Sequence, residues 1–127
     1  MCNLVIIQNN LGQDILVAEV KASILKRIIE IAPVCSKIEY LYLFGSSLET
    51  RCNSSSDIDL ALVSNVVRSR LCASQEDHKF KDLLYDIDLN QEYDLLQFNS
   101  LSALWTSKDT VCRDIQEKGV LLYQRIR

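Results

Sequence analysis

The stretch from Ile38 to Phe44 is an unbroken aromatic and aliphatic segment apart from Glu39, and it runs straight into Gly45-Ser46-Ser47. Residues of that kind, stopped by glycine and serine, predict a buried strand that ends at a tight turn. The polar stretch Glu49 to Ser56 predicts a short helical turn followed by loop. A second strand then runs from Asp57 to Val63, with Ile58, Leu60 and Leu62 on one face and Asp57, Asp59 and Ala61 on the other.

The remaining pattern supplies helices to cover those strands. Asp14 reads as an N-cap, and after it Val17, Val20, Ile24, Ile28 and Ile31 recur at steps of three and four until Pro33 ends the series. Ser74 to Leu89 carries Phe80, Leu83, Leu84 and Ile87 at helical spacing. Tyr93 to Phe98 alternates as a third strand, with Asp94, Leu96 and Phe98 on one side. A last helix over Lys108 to Lys118 is closed by Gly119 and followed by a short strand, Val120 to Tyr123. The expected order is therefore α, β, short α, β, α, β, α, β, an α/β (α+β) arrangement with a mixed β-sheet and helices mainly on one face.

Size and charge narrow the function. A length of 127 residues suits one domain, spanning 1–127 with a core from about 14 to 123. Fourteen basic against 17 acidic residues leave a net charge of −3 and no general field to draw in DNA or RNA. No apolar run approaches the roughly 20 residues of a membrane span. The segment Met1 to Gln8 lacks the basic start and apolar stretch of a secretory signal, so a cytoplasmic setting is expected. Cys2, Cys35, Cys52, Cys72 and Cys112 follow no zinc or disulfide spacing and read as reduced thiols. His78 is the single histidine, in a polar helical stretch, which disfavours hydrolase triads built on histidine.

Chemistry concentrates between Phe44 and Leu60. Glycine and serine at a strand end present bare backbone N–H groups and a hydroxyl to phosphate oxygens. Asp57 and Asp59, one residue apart on a strand, offer hard oxygen ligands on one face, a pattern suited to Mg²⁺ and phosphoryl chemistry. Two like charges on an otherwise apolar strand are unfavourable without a cation.

Gly45-Ser46, ten intervening residues, and Asp57-Ile58-Asp59 together resemble the motif of the DNA polymerase β-like nucleotidyltransferase superfamily. The short length, and the ending Ile115 to Tyr123, resemble its minimal nucleotidyltransferase (MNT) branch, whose members act as antitoxin-like partners of HEPN-domain proteins. The resemblance implies that the Gly45-Ser46-Ser47 turn holds the triphosphate and that Asp57 and Asp59 bind two Mg²⁺ ions, with Mn²⁺ as an alternative. Asp94 matches the third carboxylate, completing a catalytic and metal set of Asp57, Asp59 and Asp94. Asp86-Ile87-Asp88 repeats the letters of the first pair, but closes a helical segment with no Gly-Ser turn upstream, and is set aside as solvated. Many relatives carry an arginine directly after the Gly-Ser pair and a further glycine beyond it, where this chain has Ser47 and Thr50.

The function so implied is transfer of a nucleoside monophosphate from a triphosphate, with ATP as the default, to a hydroxyl. A HEPN-domain partner protein would supply the acceptor, or a homo-oligomer would complete its surface. The alternatives are a non-catalytic antitoxin module that works by contact, and modification of a small molecule such as an antibiotic.

Overall fold

The structure is a computed structural model that describes residues 1–126. It opens with an antiparallel hairpin, β1 (Leu4–Gln8) and β2 (Asp14–Ala18), in which Gln8 faces Asp14 and Leu4 faces Ala18. The hairpin loop turns at Gly12, whose φ of +77° suits glycine. Asn9 braces it by accepting the N–H groups of Leu11 and Gln13 at 3.0 Å each.

The helix expected from Asp14 therefore starts later. Asp14 is a strand residue whose carboxylate accepts a bond from the Gln8 amide at 3.1 Å, and Val17 is buried on the hairpin's inner side. α1 runs over Glu19–Ile31, and its N-cap, Ala18, makes no side-chain cap. The misreading has a simple cause: Ile15, Leu16 and Val17 alternate buried, exposed, buried, while Val17 also falls one helical step before Val20. Val20 is in fact exposed, and the buried stripe of α1 is Lys21, Ile24, Leu25, Ile28 and Ile31. Pro33 stops the helix in a 3₁₀ turn, Ala32–Val34.

β3 (Ile38–Phe44) follows, ending in a 3₁₀ turn at Gly45–Leu48, and then β4 (Ile58–Ser64). Two helices come next, α2 (Arg68–Ala73) and α3 (Gln75–Ile87). β5 (Tyr93–Phe98), α4 (Leu101–Thr106), α5 (Thr110–Lys118) and β6 (Val120–Gln124) complete the chain. The hairpin, α2 and α4 are additions to the expected order, and the helical turn expected from Glu49 lies earlier, over Gly45–Leu48, with Glu49 already extended. The two helices are six residues each, under two turns, too short to show a periodicity.

The main sheet has the order β5-β4-β3-β6, with β4 parallel to β5 and the other pairs antiparallel, so it is mixed as expected. Strand alternation splits the core in two. Leu41, Leu43, Ile58, Leu60 and Leu62 face the two long helices through Leu25, Ile28, Phe80 and Leu84, and Ile7 and Ile15 of the hairpin join them. Phe44, Ala61 and Val63 face the shorter α4 and α5 through Leu104, Cys112 and Ile115. Asp59 shares the parity of Ala61 and Val63, which places it on the α5 side. All five cysteines are free, and among the described residues no helix is long and apolar enough to cross a membrane.

Caps distinguish the two assignments of Asp14. Ser74, whose hydroxyl accepts the Asp77 N–H at 3.1 Å, is a true N-cap. Ser74→Ala is expected to cost about 1 kcal/mol in urea denaturation, whereas Asp14→Ala is expected to cost under about 0.5 kcal/mol.

Candidate active site

Register alone assembles the centre of the site. Phe44, the last residue of β3, pairs with Asp59, and Asp59 pairs with Asp94 across the parallel β4–β5 ladder. Directly after Phe44 the chain turns at Gly45, with φ +76°. A Cβ built on Gly45 would lie 2.1 Å from Asp59 Oδ2, so the carboxylate occupies the space that any other residue's side chain would need. Glycine is thus required twice at this position, by backbone angle and by contact.

Asp57 lies just ahead of β4 and is exposed, Asp59 is half-buried, and Asp94 is exposed. Asp59 senses the others. Burial, then repulsion from Asp94 and Asp57, holds its carboxyl above the usual carboxylate range, with Arg51 offsetting part of this and Asp114 adding to it. Asp114 is a fourth carboxylate, brought in by α5, that strand reasoning could not supply. Among the described residues these side chains do not close into a preformed metal cage. They are hard oxygen donors crowded at one end of the sheet, the donor type that Mg²⁺ takes.

The turn places its serines differently. Ser46 is half-buried at the site, while Ser47 is fully buried and its hydroxyl has no hydrogen-bond partner among the described residues. Ser47, unlike Gly45 and Ser46, has no surface open to a ligand in this structure. Arg51 is bound twice by Glu49, at 2.7 and 3.2 Å. Thr50 departs from the pattern without strain, because among the described residues only glycines take a positive φ. Asp86 lies in the last turn of α3 and Asp88 caps it, both exposed, so the pair closes a helix as the sequence suggested.

The loop that delivers Asp57 is held from below by a residue that pattern reading assigned no role. Lys21 of α1 is 1% exposed, and its ammonium donates to the Ser54 carbonyl at 3.2 Å and to Gln91 Oε1 at 2.6 Å. Gln91, also buried, donates its amide to the carbonyls of Ser56 and Glu92 at 3.0 and 2.7 Å. Glu92 O in turn accepts the Ile58 N–H at 3.1 Å, the first rung between β4 and β5. One buried lysine and one buried glutamine so tie the approach to Asp57 to the approach to Asp94. In sequence Lys21 reads as a helix-surface lysine, and only its position between Val20 and Ile24 hints otherwise.

A mixed sheet with helices on both faces, which sets a Gly-Ser turn against a row of carboxylates, defines a domain equipped for chemistry on phosphate esters. Residues 26–127 match the family model described as polymerase beta, nucleotidyltransferase, and the chain belongs to that family. The crystal structure of a toxin–antitoxin with AMP-PNP has a TM-score of 0.54 at 20% identity, covering 80% of this chain and 73% of the other. A doubly Asp→Glu mutant of the toxin–antitoxin MntA-HpeT gives a TM-score of 0.53 at 18% identity, with the same coverage, 80% and 73%. At such identities these matches speak for the fold. No curated protein matches the sequence.

Two predictions follow from the geometry. The raised Asp59 carboxyl binds its proton more tightly folded than unfolded. Stability of the metal-free protein is then lost as pH rises through the interval between the two pKa values, and the penalty is fully present at neutral pH. Asp59→Asn is expected to raise the melting temperature at pH 7 and to lose that advantage at pH values below the ordinary carboxylate range; equal melting temperatures at pH 7 would count against the crowding. Lys21→Met leaves the buried Gln91 Oε1 without its donor and removes the bond to the Ser54 carbonyl, and is expected to cost about 1–3 kcal/mol in denaturant titration.

Proposed function

We propose that this chain transfers a nucleoside monophosphate from a nucleoside triphosphate, ATP by default, to a hydroxyl of a partner polypeptide, in an antitoxin-like role. The observation that carries the reading is the row across three strands, in which Asp59 lies against the bare Cα of Gly45 and in register with Asp94. It brings a phosphate-holding turn and the metal-binding type of carboxylate to the same point. Family membership supports nucleotidyl transfer in general. A partner polypeptide is supported by the toxin–antitoxin character of the two fold relatives, and a triphosphate by the AMP-PNP in one of them.

Asp57 and Asp59, with Asp94, would hold Mg²⁺. Bound there, the ions would supply charge neutralisation to the triphosphate and a lowered pKa to the acceptor hydroxyl. The chain's own groups do the rest. Backbone N–H groups of the Gly45-Ser46 turn, with the Ser46 hydroxyl, hold the β- and γ-phosphates so that the leaving group stays aligned. The acceptor oxygen attacks the α-phosphorus in line; its bond to phosphorus forms as the bond to the β-phosphate bridging oxygen breaks, and pyrophosphate departs. The hydroxyl proton passes to Asp94, an exposed carboxylate on the edge strand, where an incoming chain has access. A cavity of about 510 Å³ beside β5, lined by Leu95 to Phe98 and Asp109 to Cys112, gives that chain an apolar foothold. A cytoplasmic setting, where ATP and Mg²⁺ are plentiful, suits the reading.

The test is co-expression with the protein encoded next to it, followed by intact mass spectrometry and by calorimetric titration of Mg-ATP. The expected results are a nucleoside-monophosphate addition on the partner and ATP binding that falls more than about tenfold in Asp57→Asn and Asp59→Asn. Asp94→Ala is expected to abolish transfer while keeping much of the ATP binding, with Asp86→Ala and Asp88→Ala silent. A stable complex with no mass shift, neutralised equally well by the Asp57→Asn/Asp59→Asn variant, would replace transfer with neutralisation by contact. Transfer to a small hydroxylated compound and no complex would point to antibiotic-type modification.

A further inference from the structure

A cavity of about 230 Å³ opens beside the Gly45 turn, lined by Gly45, Leu48, Glu49, Asp114 and Lys118. Its surroundings are strongly acidic: Asp57, Asp94 and Asp114 all bear on Asp59, and Glu49 stands on the rim. The turn itself, Gly45-Ser46-Ser47-Leu48, carries no positive charge. A triphosphate brought to it adds further negative charge, which fixed cations must help to offset.

Among the described residues, Arg51 and Lys118 are the side-chain cations that act on Glu49 at this rim. Arg51 is committed to Glu49 through its two hydrogen bonds at 2.7 and 3.2 Å. Lys118, in the last turn of α5, is 3.9 Å from Asp114 Oδ1, too far for a hydrogen bond, and its side chain is 75% exposed. It also faces Glu49 closely enough to act on that carboxyl. Lys108 and Arg113 share a neighbouring hollow with Asp114, but they do not line the cavity at Gly45. Lys118 is accordingly the cation that is both at the turn and loosely held.

We propose that Lys118 binds the β- and γ-phosphates, leaving its distant pairing with Asp114 for a charge-assisted hydrogen bond to phosphate oxygen when the triphosphate enters. The proposal rests on the nucleotidyl-transfer reading above and adds to it a substrate contact from a helix outside the Gly-Ser and aspartate motif. A lysine at a helix C-terminus otherwise has a plainer use, complementing the helix dipole. The two roles differ in what they do to ligand selectivity.

Calorimetric titrations of Mg-ATP and of AMP into the full chain, with Lys118→Met and Lys118→Arg beside the unsubstituted protein, separate them. Lys118→Met is expected to weaken Mg-ATP about tenfold and leave AMP unchanged, and Lys118→Arg to stay within about threefold of the parent. The melting temperature should not move in either variant, as fits an exposed side chain. Mg-ATP binding undiminished in Lys118→Met would overturn the assignment and leave nucleotidyl transfer standing. An equal loss for Mg-ATP and AMP would also overturn it, since a phosphate contact beyond the α-position cannot weaken AMP. Absence of Mg-ATP binding in the unsubstituted protein would remove both the assignment and the reading on which it rests.

Discussion

The contact between Asp59 and the bare Cα of Gly45 is the constraint on which the rest of the site depends. It joins the end of β3 to the start of β4 at the pair Phe44–Asp59, and the positive φ of Gly45 lets the chain leave the sheet at once into its 3₁₀ turn. A strand that continued one residue further would carry the turn past the carboxylates. A side chain at Gly45 would push Asp59 away from the position where it meets Asp94. Backbone geometry and site chemistry thus share one residue, and a change there is felt by both.

The second requirement is that Asp57, which precedes β4 and has no ladder to fix it, be held at a constant height. The buried pair Lys21 and Gln91 does this by taking carbonyls on both sides of the gap, Ser54 and Ser56 from the loop and Glu92 from the approach to β5. Burying an ammonium against neutral oxygens is costly unless its donors are used, and such a group persists where position matters more than stability. The clamp connects α1, the loop and β5, so the packing of a helix on the far face of the sheet reaches the carboxylates through two side chains.

What could be read in the sequence was whatever repeats or is locally enforced. Ile38 to Phe44 announces its strand through composition and its end through glycine, and the alternation of β4 puts Asp59 opposite Ile58 without any knowledge of its neighbours. Asp94 was reachable by the same alternation. The hairpin was missed because Val17 fits a period of two as well as a period near four, and the five-residue loop around Gly12 gave only a weak turn signal. Lys21, Asp114 and Lys118 escaped for another reason. Each looks like an ordinary helix-surface charge, and its meaning comes from what lies across space: a loop carbonyl, a carboxylate on β4 and a cavity beside the turn. Long-range placement of charge has no periodicity to betray it.

The same crowding that marks the site also ties its stability to its ligands. Asp59 is partly withdrawn from water and set among Asp57, Asp94 and Asp114, with Arg51 as partial relief, so the metal-free fold carries an electrostatic cost at neutral pH. A cation that binds only the folded form removes that cost and adds its own stabilisation, about 2.7 kcal/mol at a concentration one hundred times its dissociation constant. For a domain of this size such a gain is a sizeable part of the 5–15 kcal/mol that commonly separates folded from unfolded chains. On the reading proposed above, a metal-bound triphosphate would offset the repulsion among these carboxylates, which among the described residues only Arg51 relieves in the metal-free fold. Gly45 and the Lys21–Gln91 clamp bound this group of carboxylates, one by its contact with Asp59 and the other by the bonds it makes to the loop ahead of Asp57.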